Sequence, residues 1–565
     1  MEPIWLKHYP QGVPAEADIS RFSSLKDMLE QSCGRYHELP AFTNMGITIS
    51  FGELDRLSRD FAAYLQQVAG LGKGERVAIM LPNLLQFPVV LFGALRAGLV
   101  VVNVNPLYTA RELQFQLVDS GAAAVVVLEN FAHTLQLALP ETEVRHVITT
   151  QVGDLFPPVK MRLVNLAVKW IKRMVPNWEI PSAIPFNSAL KMGRRNTLTD
   201  VPLGRDDIAF LQYTGGTTGV AKGAVLAHGN MVANVEQTSA WIGSMLKEGE
   251  EVVVTPLPLY HIFSLTANLL LFVKWGGNNI LITNPRDVPA FVQELQKTRI
   301  TAITGVNTLY NLLLNSPDFV RVKQANGGAL KLAVAGGMAV QRTVAERWQQ
   351  LMGVPLIEGY GLTEASPIVC ANRFDITEFS GKIGLPIPST QVTILDEMGH
   401  ELPLGETGEI AVQGPQVMQG YWNKPEETSR AFSADGWLLT GDIGEMDEDG
   451  YVRFVDRRKD VIVVSGFKVY PTEVEEVVMR HPGVREVGAV GVPDEKSGEV
   501  VRLYLVKNDP TLTVEAVLAH CRTSLTAYKV PKSVEFRDQL PKSPIGKILR
   551  RALKEEATST AGITS

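Results

Sequence analysis

Short apolar runs alternate with stretches of helical period through the first two thirds of the chain. Residues 51–67 place Leu54, Leu57, Phe61, Ala62 and Leu65 near a 3.6-residue spacing, which predicts an amphipathic helix. Residues 76–81, closed by Pro82-Asn83, read as a buried strand, 87–95 as a helix, and 99–104 and 122–128 as two more strands. Strands alternating with helices predict a parallel α/β sheet. Apolar pieces at 251–256, 269–272, 279–283 and 300–305 extend the pattern as strand-like or buried segments. Residues 330–335 run into Gly336-Gly337, a strand ending in a glycine turn. Open α/β sheets hold their ligands at such carboxyl ends. Beyond about residue 390 the runs shorten to 391–395, 408–412 and 451–455, separated by Gly, Pro and Asp turns, which predicts a small β-rich lobe.

A charged break, Asp456-Arg457-Arg458-Lys459-Asp460, then separates two apolar strands. Exposed charged linkers are where chains divide and hinge. The expected organisation is a large α/β domain with its β-rich lobe at 1–455, a hinge linker at 456–460 and a small α/β domain at 461–565. The last domain should hold strands at 487–492 and 501–506 and helices near 473–479 and 514–522. The small, polar tail at 557–565 is expected to be disordered.

Residues 159–178 break the pattern. They contain Lys160, Arg162, Lys169, Lys172 and Arg173 and no acidic residue. Wound as a helix, Arg162, Asn165, Lys169, Lys172 and Arg173 fall on one side, and Leu163, Leu166, Ala167, Trp170 and Met174 on the other. A basic amphipathic helix with a tryptophan suits an anionic membrane surface. The alternative is a helix packed on the protein with a solvated basic face.

At 565 residues the chain exceeds what one core serves. A net charge of −6 argues against a nucleic-acid partner. Three widely spaced cysteines, Cys33, Cys370 and Cys521, suit neither a disulfide framework nor a zinc site. The first residues lack a basic stretch followed by an apolar core, and no apolar run reaches the length of a membrane span. A cytoplasmic protein, or one held on the cytoplasmic face of the inner membrane, is expected.

Chemistry concentrates in a few stretches. Tyr213-Thr214-Gly215-Gly216-Thr217-Thr218-Gly219-Val220-Ala221-Lys222-Gly223 combines turn-forming glycines, hydroxyls and one lysine, the makings of a polyphosphate cradle. It is not the Walker pattern, because Ala221 precedes Lys222 and Gly223 follows it. His261 sits among apolar and aromatic residues, where a packed histidine is the commoner outcome. Glu358-Gly359-Tyr360-Gly361-Leu362-Thr363-Glu364 offers an aromatic ring for a base and oxygens for a hard cation. Thr440-Gly441-Asp442 offers a carboxylate for ribose hydroxyls or an Asx turn. Near the end lies Ser543-Pro544-Ile545-Gly546-Lys547.

Taken in order, these motifs resemble those of the adenylate-forming enzymes, which include acyl-CoA synthetases, luciferases and peptide-synthetase adenylation domains. Residues 435–459 also resemble the fatty-acyl-CoA synthetase signature, with Asp435 and Leu439 standing where it carries Asn and His. The resemblance implies ligation of a long-chain fatty acid to CoA through an acyl-adenylate, with ATP consumed and AMP and pyrophosphate released. It implies that 213–223 holds the phosphates and that Thr217 and Glu364 bind Mg²⁺. It further implies that Gly336, Gly337, Gly359, Tyr360, Gly361 and Thr363 line the adenine pocket, and that Asp442 and Arg457 contact the ribose. Lys547 becomes the catalytic lysine, Lys459 the hinge, and Gly466 with Lys468 the route for CoA. His261 and Leu265 fall near the acyl group, and Leu265 stands where some long-chain relatives carry a gating tryptophan. Alternatives are a medium-chain or aryl-acid ligase, a luciferase-like oxygenase, or a non-catalytic lipid-binding protein on the same fold. A homodimer is left open.

Overall fold

The computed structural model describes residues 3–214, 221–494, 496–543 and 546–561. Among them the large domain is built on two mostly parallel sheets. One has the order 40–44 beside 278–281, then 252–255, 302–305, 332–336 and 357–361, all parallel. Antiparallel strands border it at both ends: Ile47–Ser50 beyond the first, Ile368–Ala371 and Leu385–Pro386 beyond the last. The second runs in parallel from Ile208–Thr214 through Val100–Asn103, Arg76–Met80, Ala122–Leu128 and His146–Thr150 to Ile184–Pro185. Its other edge turns antiparallel, with Lys222–Ala227 and then Gly420–Tyr421.

Local sequence explains the helices that cover these sheets. Phe51–Ala63 starts at a capping box in which Ser50 and Glu53 satisfy each other's backbone N–H groups. It buries Leu54, Leu57 and Phe61 at the expected spacing. Gln86–Arg96 is apolar all round and buried throughout, as expected of a helix between layers. The piece at 269–272 is buried but helical, joining the wide turn Leu265–Leu270 to the helix Leu271–Lys274. A short apolar run cannot by itself separate a strand from a buried helix.

The β-rich lobe is a four-stranded antiparallel sheet of Gln391–Leu395, Gly408–Gln413, Leu438–Met446 and Val452–Arg457. Its last strand continues through Asp456 and Arg457, and a 3-10 turn, Arg458–Asp460, follows. The small C-terminal domain has its own sheet, in which the long hairpin Val484–Asp494 and Gly498–Lys507 carries most of the pairing, and its own apolar core. The tail departs from expectation. Residues to Ala561 form the helix Arg550–Ala561, and Ala557 is buried beside Val490 and Leu553. Apolar contact on one face keeps this segment wound despite its polar composition.

The segment 159–178 departs further. The α-helix is Pro158–Leu166, extended by one wide turn, Ala167–Ile171, and ended by Arg173 at φ +50°. Met161, Val164 and Val168 pack on the body. Asn165, read above with the basic side, turns inward: it accepts from Gly153 N at 2.8 Å and donates to Gln151 Oε1 at 2.9 Å. The side that faces the protein is therefore neither of the two faces read from the pattern.

Candidate active site

The strands that flank the glycine-threonine run, Ile208–Thr214 and Lys222–Ala227, pair antiparallel, with Thr214 opposite Lys222. Gly215, Gly216, Thr217, Thr218 and Gly219 lie outside the described residues. At the hairpin's base, Tyr213 donates its hydroxyl to Asp119 Oδ2 at 2.7 Å, and its ring covers Gly223. Tyr213 thus braces the paired strands at Gly223. Lys222 pairs with Glu427 and stands 5.1 Å from the centre of the Tyr421 ring. The Tyr421 hydroxyl in turn donates to Glu364 Oε1 at 2.8 Å.

Tyr421 therefore joins the phosphate-loop lysine to the expected metal carboxylate. It was not singled out from the sequence, because its place depends on the short strand Gly420–Tyr421 pairing with Ala224 and Val225, some 200 residues earlier. No local pattern announces such a pairing.

Glu364 lies in the single turn Thr363–Ala365, whose backbone is held by Met418 N donating to the Glu364 carbonyl at 2.8 Å. Burial raises its carboxyl pKa, and the Tyr421 hydroxyl and the charge of Arg457 oppose that rise. Glu364 Oε2 has no side-chain hydrogen bond among the described residues. A desolvated carboxylate with one oxygen fixed by Tyr421 fits Mg²⁺, which takes one or two carboxylates beside phosphate oxygens.

On the next strands, Asp442 and Arg457 are direct cross-strand partners. Arg457 Nε lies 3.3 Å from Asp442 Oδ1, in ion-pair range but with no hydrogen-bond partner among the described residues. Tyr360 donates its hydroxyl to Asp442 Oδ2 at 2.8 Å. Gly336 faces Gly359 across parallel strands, and Gly337 follows at φ +76°. A Cβ on Gly336 would stand 3.1 Å from the Gly359 carbonyl, and one on Gly361 would collide with the Pro367 carbonyl. Gly361 thus excludes a side chain and Gly336 leaves only tight space for one, so backbone edges are presented to a flat ligand. Beside them Glu358 is buried, and its carboxyl pKa is pushed up to about 8, so it is neutral at pH 7.

Lys547 reaches this group from the small domain. A tight turn presents it: Ser543 N donates to the Lys547 carbonyl at 2.7 Å, and Lys547 N donates to Ser543 Oγ at 3.1 Å. Gly546, at φ +86°, lies against Thr308 of the large domain. Burial, then repulsion by Arg457, pushes the Lys547 ammonium down to about 8, while Asp442 acts the other way. Three residues on, Arg550 clamps the turn by donating to Asp456 Oδ1 at 2.7 Å, Thr472 Oγ1 at 2.9 Å and Glu475 Oε1 at 2.9 Å.

Of the other expected site residues, Lys459 borders this cluster, within reach of the charges of Arg457 and Asp442. Lys459 is exposed on the turn Arg458–Asp460. Gly466, at φ +85°, and Lys468 lie on the exposed hairpin Ile462–Val464 and Phe467–Val469, where Lys468 Nζ donates to Glu397 Oε1 at 2.9 Å. His261 caps the short helix Ile262–Ser264, its Nδ1 accepting from Phe263 N at 3.3 Å. Burial lowers its pKa to about 4, so at pH 7 the ring is neutral with its proton on Nε2. Leu265 is wholly buried one turn on.

Residues 29–422 match the model of the AMP-binding enzyme family, and 473–547 match that of the AMP-binding enzyme C-terminal domain. The chain belongs to the AMP-binding enzyme family. Relatives of this AMP-binding enzyme include the long-chain-fatty-acid–CoA ligases of Salmonella typhi, 57% identical over 99% of each chain, and Haemophilus influenzae, 50% identical over 98% of this chain and 99% of that one. The Bacillus subtilis ligase is 38% identical over 98% of each. Among solved structures, a benzoate CoA ligase from Burkholderia xenovorans is similar with a TM-score of 0.80 at 26% identity, covering 94% of this chain and 99% of that one. ATP-bound MatB from Rhodopseudomonas palustris is similar with a TM-score of 0.77 at 28% identity, covering 94% and 98%. The hairpin at 208–227, residues 358–364 and Lys547 fall within the matched segments, while Asp442, Arg457, Lys459, Gly466 and Lys468 lie between them.

Proposed function

We propose that this AMP-binding enzyme joins long-chain fatty acids to CoA with ATP, through an acyl-adenylate. The observation that carries the reading is the convergence of Lys547, Asp442, Arg457, Tyr360 and Glu364 in a chain 57% identical over nearly its full length to long-chain-fatty-acid–CoA ligases.

A fatty-acid carboxylate is a poor acyl donor; joined to AMP, its carbonyl gains a good leaving group. In the first step the carboxylate oxygen attacks the α-phosphorus of ATP and pyrophosphate leaves. Such a transfer is governed by positioning and charge neutralisation. Asp442 accepts from the ribose hydroxyls and Arg457 steadies the same sugar. The glycine edges at Gly336, Gly337, Gly359 and Gly361, with Tyr360 and Thr363, receive the adenine. Lys547 bridges the incoming carboxylate and the α-phosphate, so its charge lies where negative charge gathers. The phosphate hairpin, with Thr214, Thr217, Thr218 and Lys222, holds the departing pyrophosphate. Mg²⁺, held by Glu364 and Thr217, supplies further neutralisation on the phosphate oxygens when bound. In the second step the CoA thiol attacks the acyl carbonyl and AMP leaves, with Gly466 and Lys468 on the thiol's path.

Residues 1–455 act as the ATP- and acyl-binding domain, 456–460 as a hinge turning near Lys459, and 461–565 as the mobile domain. His261 and Leu265 bound the acyl end. The enzyme works in the cytoplasm at the membrane face, where long-chain acids partition. CoA-dependent AMP release across a series of acids tests the reading. Rates highest with long-chain acids support it; a preference for benzoate, ferulate or medium-chain acids overturns the substrate, and no AMP release with any acid overturns the activity.

A further inference from the structure

The segment 420–431 is built onto the strand that carries Lys222. Gly420 and Tyr421 pair with Val225 and Ala224. Trp422 N donates to the Gly223 carbonyl at 2.8 Å, and Trp422 Nε1 donates to the Asp119 carbonyl at 3.1 Å. Lys424 Nζ lies 3.3 Å from Asp119 Oδ1, on the same carboxylate that accepts from Tyr213. Thr428 Oγ1 accepts from Tyr421 N and donates to the Lys424 carbonyl, each at 2.9 Å, which ties the helix Pro425–Ala431 back to its strand. Whatever this helix turns toward Lys222 is therefore held in place.

It turns a carboxylate. Glu427 Oε2 accepts from the Lys222 ammonium, and Glu427 Oε1 accepts from Arg430 Nη1 at 3.2 Å. Lys222 holds the Glu427 carboxyl below the usual carboxylate range, so it is charged at pH 7. The pair is open to solvent, with the Lys222 side chain 23% exposed and that of Glu427 33%. An ion pair this open adds little to folding. Its consequence falls on any anion that comes to Lys222. The ammonium has donors enough for two anions at once. A phosphate arriving there nonetheless meets a like charge already seated on the same cation, and the two repel.

We propose that Glu427 is an internal competitor for Lys222, a positioning residue that weakens the hold on pyrophosphate once adenylation has freed it. This rests on the reading above, in which Lys222 faces the departing pyrophosphate. The several charges of pyrophosphate outbid the single charge of Glu427 while the product is bound. As the product leaves, the carboxylate takes the ammonium back, so the lysine is not left as a bare cation that recaptures it. The same competition weakens the entry of ATP.

Calorimetry of the full chain with magnesium pyrophosphate, and with inorganic tripolyphosphate, tests this. Glu427→Gln keeps the shape and removes the charge. It should bind both anions about two- to fivefold more tightly at low salt, the range that an exposed ion pair commands. The gain should shrink at high salt. In CoA-dependent AMP release, the KM for MgATP and the inhibition constant for pyrophosphate should fall together, with the KM for CoA and the Tm unchanged. Glu427→Asp, which restores the charge, should move these values back toward wild type. In a Lys222→Gln background the substitution at 427 should change phosphate binding far less. Equal or looser phosphate binding by Glu427→Gln overturns the proposal, and looser binding would make Glu427 a guide that aims Lys222 at the phosphates. An equal gain in the Lys222→Gln background overturns the route through Lys222. Tighter pyrophosphate binding by Glu427→Gln in a protein that releases no AMP with any acid would leave the competition standing and remove the ligase reading.

Discussion

Lys547 gives the sharpest test, because burial and Arg457 hold its ammonium near a pKa of about 8. The sign follows directly. A lysine with a lowered pKa carries its charge below that value and loses it above. About 90% of the free enzyme is charged at this position at pH 7, and about 10% at pH 9. If the charge drives adenylation, kcat/KM for that half-reaction should fall about eight- to tenfold between those pH values. Bound ATP adds negative charge beside Lys547, so the limb in kcat should lie higher than the limb in kcat/KM. Lys547→Arg keeps its charge past pH 9 and should flatten the limb at a lower rate. An unchanged limb in Lys547→Arg would assign it to another group.

Lys547→Ala removes the charge outright. Losing one group aimed at transition-state charge costs roughly 10²–10³-fold, or about 2.7–4 kcal/mol. Pyrophosphate exchange should fall by that factor. Supplied with pre-made acyl-adenylate and CoA, the variant should form thioester at close to the native rate, because the second step needs no attack on phosphorus. Lys459→Pro, which stiffens the proposed hinge, should form adenylate and then stall. Equal loss of both half-reactions in Lys547→Ala would refute the assignment of this lysine to one step.

Three further outcomes follow from the geometry. Glu364→Ala removes the buried carboxylate and should make adenylation depend on much higher Mg²⁺; normal adenylation at limiting Mg²⁺ would exclude it as a ligand. Tyr421→Phe deletes the hydroxyl on Glu364 Oε1 while keeping the ring beside Lys222, so the KM for MgATP should rise several-fold with little change in Tm; a variant indistinguishable from wild type in both sinks the bridge. Gly361→Ala sets a Cβ against the Pro367 carbonyl and should cost about 1–3 kcal/mol, seen as a lower Tm together with weakened ATP binding; native values in both would mean that the strand end yields freely.

The helices and parallel strands were legible wherever a local rule was complete. Ser50 with Glu53 announces a helix start, and Arg76–Met80 and Ala122–Leu128 are apolar runs that only a strand buried on both faces requires. The stretches that hold Gly336, Asp442 and Lys547 stood out for the same reason, since each is a local run of unusual composition. Tyr421 and Asp119 were not, because each acts through a partner that the fold brings from far along the chain. The orientation of 158–171 was also hidden. Its period allows several faces inward, and the choice rests on Asn165 finding Gln151 and Gly153, which no helical wheel contains.

Asp456 carries the argument about motion. It is fully buried and lies two residues before the turn Arg458–Asp460, yet its bonds cross that turn. Thr472 N donates to Oδ2 at 2.6 Å, and Arg550 donates to Oδ1 at 2.7 Å. Both donors belong to the small domain. The proposed rotation about Lys459 would break these contacts, and hydrogen bonds to charged groups are worth about 1.5–3 kcal/mol each. The arrangement with Lys547 against Asp442 and Arg457 is therefore held by bonds at the hinge as well as at the site. In the proposed scheme Gly466 and Lys468, at the exposed tip of a hairpin in the same domain, would meet the adenylate once those bonds open. In the proposed mechanism, joining the carboxylate to the α-phosphate removes the carboxylate charge that Lys547 faces, which would weaken docking at the site just when the second step requires the domain to turn. On this scheme adenylation would loosen the contact that made it possible, and the bonds of Asp456 would set the remaining cost of the turn that brings the proposed thiol face to the adenylate.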